Sequence, residues 1–185
     1  MIEGSLVRLR PIEMADLDRY HAWINDAEVT RFLNMRYGVS RAAEEAWLAG
    51  RTAQPLSYAN VGFAIDTKDG VHIGGIDFHH ALPEDRAARL GITIGDRTYW
   101  SRGYGTDAMR TFVRFGFAEM NLNRIDLTVD ERNARAIACY QRCGFVEEAR
   151  LRQDRYSDGA YHDTLIMALL RDDWLAAQTA GQPPR

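Results

Sequence analysis

In the middle of the chain, Trp100-Ser101-Arg102-Gly103-Tyr104-Gly105 follows an apolar, strand-like run and leads into a helical pattern. Glycines crowded between a strand and a helix let a ligand approach the backbone with no Cβ in the way. The first turn of a helix leaves N–H groups unpaired, and the helix dipole adds partial positive charge at the same place. Such a turn is an anion site, and a pyrophosphate is its natural guest, with Arg102 adding charge at the rim. Two other readings stay open. The glycines could merely satisfy positive φ angles in a loop. The stretch Gly103–Ala108 also matches the dinucleotide fingerprint G-x-G-x-x-A, with Asp126 twenty-one residues after Gly105 as the acid for a ribose. Its context departs from that fingerprint, because "DRTYWSR" separates the apolar run "GITIG" from Gly103 and several strands come earlier. A P-loop is excluded, since no Gly-Lys-Ser/Thr follows.

A second stretch with chemical potential is "VDERNARAIACYQRCGF", in which Asn133 opens a short helix, Tyr140 sits seven residues later and Gly144-Phe145 ends it. On residue type alone Asn133 reads equally as a plain N-cap and Tyr140 as a core tyrosine on the Ala136–Tyr140–Cys143 face. The elements around these motifs can be read from periodicity. "SLVRLRPI" alternates as a first strand, and "MADLDRYHAWIND" carries apolar residues at helical spacing behind an Asp16 cap. A second helix is predicted over 41–51. "NVGFAID" and "VHIGGIDF" flank "TKDG", whose Asp69-Gly70 pair signals a hairpin. "RLGITIG" is a further strand, "TDAMRTFVRFGFAEM" an amphipathic helix, "NRIDLTVD" a strand, and the last two long strands meet at "SDG". This order predicts one α+β domain over 1–178, with a mixed, largely antiparallel central sheet flanked by helices, and a disordered tail over 179–185.

Composition narrows the function. A net charge of −3 over 185 residues, with arginines scattered among acids, gives no field for nucleic acid. No run of eighteen apolar residues occurs and the N-terminus lacks a signal-peptide core, so the reading is cytoplasmic with no membrane partner. Cys139 and Cys143, four apart in a helical pattern, suit neither a disulfide framework nor zinc, and the five histidines show no ligand spacing, so no metal is expected.

The two motifs together resemble the GNAT superfamily of N-acetyltransferases, where Gln/Arg-x-x-Gly-x-Gly/Ala cradles the pyrophosphate of acetyl-CoA and an Asn-…-Ala-…-Tyr-…-Gly-Phe helix follows. Trp100 stands at the first position of the pattern, a departure familiar in the RimJ/RimL-like branch, which modifies protein N-termini, polyamines and small amines. The closing "SDGAYHD" and "MALLRDDW" resemble that branch too. The resemblance covers the whole chain, most specifically residues 90–145. It implies acetyl-CoA as cosubstrate, held by backbone groups of Ile92, Thr93 and Ile94 along its pantetheine arm. The N–H groups of Arg102, Gly103, Tyr104, Gly105 and Thr106 would take its pyrophosphate. It also implies that this strand and "RIDLTV" splay apart. Asn133 would bind the pantetheine or a water near the thioester, and Tyr140 would be the general acid. A phenol is protonated at neutral pH, with an ordinary pKa of about 10, and so can deliver a proton to the leaving sulfur.

The base is less determined. Asp77, His79 and His80 follow the "GG" of the hairpin's second strand, and at most one histidine of an adjacent pair can face a given site. A water chain would serve as well. Glu28 is a candidate contact for a cationic acceptor. The acceptor loop, roughly 32–43, carries Arg36 and Arg41, and Leu90 stands where polyamine enzymes tend to place an acid, so spermidine is disfavoured. A peptide N-terminus, an amino sugar, an amino acid or an aminoglycoside-like amine all fit. The expected function is therefore acetyl transfer from acetyl-CoA to a primary amine by direct attack on the thioester. The alternatives are a non-catalytic acetyl-CoA-binding sensor or assembly module and, third, a dinucleotide-binding protein. By analogy the chain could form a homodimer.

Overall fold

The computed structural model describes residues 1–33, 35–59 and 61–180. Its strands are β1 (Ile2–Glu3), β2 (Val7–Pro11), β3 (Val61–Thr67), β4 (His72–Leu82), β5 (Ala87–Ile94), β6 (Arg124–Asp130), β7 (Val146–Ser157) and β8 (Ala160–Leu170). The helices are α1 (Leu17–Ile24), α2 (Ala27–Thr30), α3 (Arg41–Thr52), α4 (Tyr104–Ala118), α5 (Ala134–Arg142) and α6 (Arg171–Ala180). Among the described residues the strands form one sheet in the order β1-β2-β3-β4-β5-β6-β8-β7. Every neighbouring pair is antiparallel except β5 with β6. This is the α+β class expected from the element order.

Several local choices follow the sequence. Gly70, at φ +81°, closes the β3–β4 hairpin with its N–H on the Thr67 carbonyl at 3.0 Å. Ser40 caps α3 through Ala43 N–H, and Gly144 at φ +95° ends α5. Asp16 does something other than cap α1. A 3-10 turn (Met14–Asp16) precedes the helix, and the buried Asp16 carboxylate accepts the Glu13 N–H at 2.9 Å and two bonds from Arg10 at 2.7 and 2.8 Å. Burial would raise this carboxyl; the Arg10 guanidinium and the Glu13 amide outweigh it and hold it below the usual range. Three elements lie outside the sequence reading: the two-residue β1, the one-turn α2 capped by Asp26, and α6. α6 carries Trp174 against Phe117 at 5.3 Å between rings and includes Thr179 and Ala180, which the sequence reading assigned to the tail. Residues 181–185 of that tail lie outside the described residues.

The core lies between the sheet and α4, whose Ala108, Met109, Phe112, Val113 and Phe117 are buried. Phe112 stacks on Phe78 of β4 with centroids 4.1 Å apart. A Cβ on Gly116 would fall 2.8 Å from the Phe78 ring, so this glycine sets the helix-to-sheet distance. The start of α4 is pinned from outside. The Asp107 carboxylate accepts the backbone N–H groups of Ser5, Leu6 and Val7 at 3.1, 2.7 and 3.0 Å. Asp107→Ala would leave all three without that acceptor. The expected loss is about 2 kcal/mol, read as a lower urea midpoint at unchanged m-value.

Candidate active site

The parallel pairing is short. β5 meets β6 only at Ala87–Arg124, Ala88–Ile125 and Arg89–Asp126. Beyond Arg89, β5 keeps its β4 partners through Ile94, while β6 runs on to Asp130 beside β8 alone. The two strands therefore diverge, and one edge of β5 from Leu90 to Ile94 has no strand beside it. Free backbone along an edge needs hydrogen-bonding partners. A cavity of about 1530 Å³ opens there, lined by Ile92, Thr93 and Ile94 on one side and by Asn133 and Tyr140 of α5 on another.

The glycine turn borders the same cavity through Gly103, Gly105 and Thr106. Gly103 precedes α4 at φ +89°, a left-handed conformation that a side chain would strain. A Cβ on Gly105 would meet nothing closer than Ile94 Cγ1 at 3.6 Å, so the protein itself leaves that space open. Open space over the first amides of a fifteen-residue helix fits a pyrophosphate, and the unpaired edge of β5 fits an extended amide-bearing arm. Arg102 and Tyr104 are not among the side chains lining the cavity. The Arg102 guanidinium sits 5.8 Å from the Tyr99 ring and donates to the Thr98 carbonyl at 3.2 Å, while Tyr104 packs edge-on to Tyr99.

Trp100 explains its own departure from the family pattern. Its indole Nε1–H donates to the Ile94 carbonyl at 2.6 Å, closing the end of β5, and Arg135 lies 3.7 Å over its ring. The Ile94 carbonyl is thus already occupied, which leaves for a ligand the backbone groups of this edge that do not pair with β4.

Asn133 is an N-cap, as residue type alone allowed: its side chain accepts the Ala136 N–H at 3.2 Å while lining the cavity. Just before it, the buried Asp130 takes both arms of Arg132 at 2.8 and 2.9 Å, and Arg132 reaches on to Ser157. This knot fixes the turn from which α5 starts. Tyr140 packs its ring near Phe145, and burial pushes its hydroxyl above the ordinary phenol range. Thr106 Oγ1 lies 3.3 Å from Cys139 Sγ, tying α5 to the first turn of α4; both cysteines are free thiols.

On the opposite wall, Asp77 and His79 line the cavity, with His79 Nδ1 3.7 Å from Asp77 Oδ1. His80 is exposed, is not among the lining residues, and takes φ +52° at the irregularity in β4. A Cβ on Gly91 would fall 2.7 Å from Asp77 Oδ1, so glycine makes room for the pair. Arg51 of α3 reaches Asp77 at 3.4 Å. Glu28 lines the cavity from α2. Sequence reasoning missed the rest of this wall: Tyr20 and Trp23 of α1, and Glu44, Trp47 and Arg51 of α3. The signal was present in the i, i+3, i+7 spacing of 44, 47 and 51.

Two expectations change. Asp126, the acid of the dinucleotide reading, does not line the cavity; it pairs with Arg89 at 2.6 Å where β5 and β6 still touch. It is spent on structure and unavailable to a ribose. Arg36 and Arg41 do not line the cavity either, and Arg41 pairs with Asp18 at 2.7 Å, so the repulsion expected of them toward a polycation loses its footing. Among the described residues no group of His, Cys, Asp or Glu is placed to hold a metal, and no helix is long and apolar enough to cross a membrane.

A mixed sheet opened at one parallel seam, with a glycine turn and a helix-borne tyrosine on the opening, defines an acyl-coenzyme A N-acyltransferase architecture. The acetyltransferase (GNAT) domain pattern matches residues 7–146, and the chain belongs to that family: it is an acetyl-CoA-dependent N-acetyltransferase. The spermidine N(1)-acetyltransferase of Escherichia coli K12 is 28% identical over 98% of this chain and 96% of its own length. An uncharacterized N-acetyltransferase of Bacillus licheniformis, p20, is 26% identical over 90% of this chain and 93% of that protein. The fold matches the crystal structure of spermidine N-acetyltransferase from Vibrio cholerae in complex with CoA and spermine. The TM-score is 0.83 at 24% identity, over 93% of this chain and 99% of that one.

Proposed function

We propose that this enzyme, a cytoplasmic member of the RimJ/RimL-like branch, acetylates a primary amine by direct attack on the acetyl-CoA thioester. The amine belongs to a small molecule or a peptide N-terminus. The observation that carries the reading is the divergence of β5 from β6, with the glycine turn and Tyr140 bordering the one cavity it opens. When bound, the cosubstrate supplies an activated acetyl group. The protein's share is to position and to move protons. Backbone groups of Ile92 to Ile94 orient the arm, the amides from Arg102 to Thr106 hold the phosphates, and Asn133 fixes the start of α5. Tyr140 keeps a proton on its hydroxyl across the neutral range and gives it to the departing thiolate. Asp77 and His79 are the side chains placed to take the proton of the attacking amine, since a charged ammonium has no lone pair to attack with.

The test is a thermal shift with acetyl-CoA and with NADH, followed by thiol release over a panel of amines. Acetyl-CoA at a hundred times its Kd should stabilise by about 2.7 kcal/mol, NADH should not, and at least one amine should release thiol. A shift by NADH alone, or stabilisation without turnover of any amine, contradicts the proposal.

A further inference from the structure

Glu44 is the unusual carboxylate in this cavity. It lies in the first turn of α3 and is only 7% exposed. Its side chain has no hydrogen bond or ion pair among the described residues, yet it lines the cavity. A buried carboxylate with no partner is costly and is seldom kept without a counter-ion. The neighbouring acids differ: Asp77 has Arg51 at 3.4 Å and His79 at 3.7 Å, and Glu28 is exposed to water. His21 of α1 is within electrostatic reach of Glu44, but its Nε2 is engaged with the Val39 carbonyl at 3.1 Å. Burial lifts the Glu44 carboxyl above its ordinary range.

The surroundings say what the missing partner is. Trp47 follows Glu44 by three residues on the same face of α3, and its ring meets Tyr20 of α1 edge-on at 5.8 Å. Tyr20 in turn meets Trp23 at 5.8 Å. A carboxylate that lines one cavity together with Tyr20, Trp23 and Trp47 suits an alkylammonium, which gains both a charge partner and cation–π attraction, better than it suits a hydroxyl or a bare hydrocarbon.

We propose that Glu44 and Trp47 form a subsite for a second, distal ammonium of the acceptor, making a diamine the preferred substrate class. One nitrogen arrives neutral at the thioester while the other stays charged against Glu44. This deepens the amine-acetylation reading and rests on it.

The test compares pentylamine, 5-amino-1-pentanol and 1,5-diaminopentane on wild type and Glu44→Gln, by thiol release and by calorimetric binding. The wild type should prefer the diamine over pentylamine by about tenfold or more in kcat/KM and in affinity. Glu44→Gln should erase that preference, bringing the diamine-to-pentylamine ratio of kcat/KM and of affinity to about one. Its melting temperature should not fall, because an unpaired buried charge has been removed. Equal affinity for diamine and monoamine in the wild type, a diamine preference that survives Glu44→Gln, or an amino alcohol bound as tightly as the diamine would overturn the subsite. Tighter diamine binding with no thiol release from any of the three would uphold the subsite and fail the acetyl-transfer reading instead.

Discussion

Tyr140→Phe is expected to lower kcat by about a hundredfold or more while leaving KM for acetyl-CoA within about twofold. The asymmetry follows from what the substitution removes. The ring stays in its place near Phe145, so the shape of the cavity is kept. Only the hydroxyl is lost, and among the described residues it has no hydrogen-bond partner to leave stranded. The missing proton donor matters at the moment the carbon–sulfur bond breaks, when negative charge gathers on sulfur, and hardly before. Thiol release at saturating acetyl-CoA measures kcat, and its dependence on acetyl-CoA concentration gives KM. A loss confined to KM would mean that Tyr140 is a binding wall with no acid role.

The second large effect belongs to Gly105. Gly105→Ala should raise KM for acetyl-CoA, or its Kd by calorimetry, by about ten- to a hundredfold, the size of one or two lost hydrogen bonds to a charged group. The same variant should unfold no more easily than the wild type. Its Cβ meets only Ile94 Cγ1 at an ordinary 3.6 Å, and alanine is favoured over glycine inside a helix by about 1 kcal/mol. A stability gain together with a binding loss separates a ligand's claim on that space from the protein's own. Unchanged affinity would place the pyrophosphate elsewhere.

Much of this was legible from residue order. The glycine turn at the head of α4 was legible because strand, Gly-x-Gly and helix come in sequence, and α4 and α5 follow from their apolar spacing. Asn133 was legible as a cap because its type and place are local. Arg102 was not. Its charge suggested the rim, but the alternative partners at Tyr99 and Thr98 exist only once the short helix Arg97–Tyr99 has folded. Asp16 was misread as a helix cap for the same reason, since its true partner Arg10 is brought beside it by the β2 register. The cavity wall on α1 and α3 was the least visible part. The spacing of 44, 47 and 51 marks one face of α3, but only the packing of α3 beside α1 shows that this face and Tyr20 turn toward a shared void. The β5–β6 divergence was foreseeable only through the family resemblance, because nothing local in "RLGITIG" marks where a neighbour stops.

That open seam divides labour along the chain. The cavity wall on α1 to α3 and β4 comes before Ala87, whereas the glycine turn and Tyr140 come after it. Only three residue pairs bridge the β5–β6 junction, and the ties that hold α4 run through the chain start and β4 rather than through α1 to α3. On this plan substitutions in α1 to α3 would reshape one wall of the cavity and leave the glycine turn and Tyr140 in place.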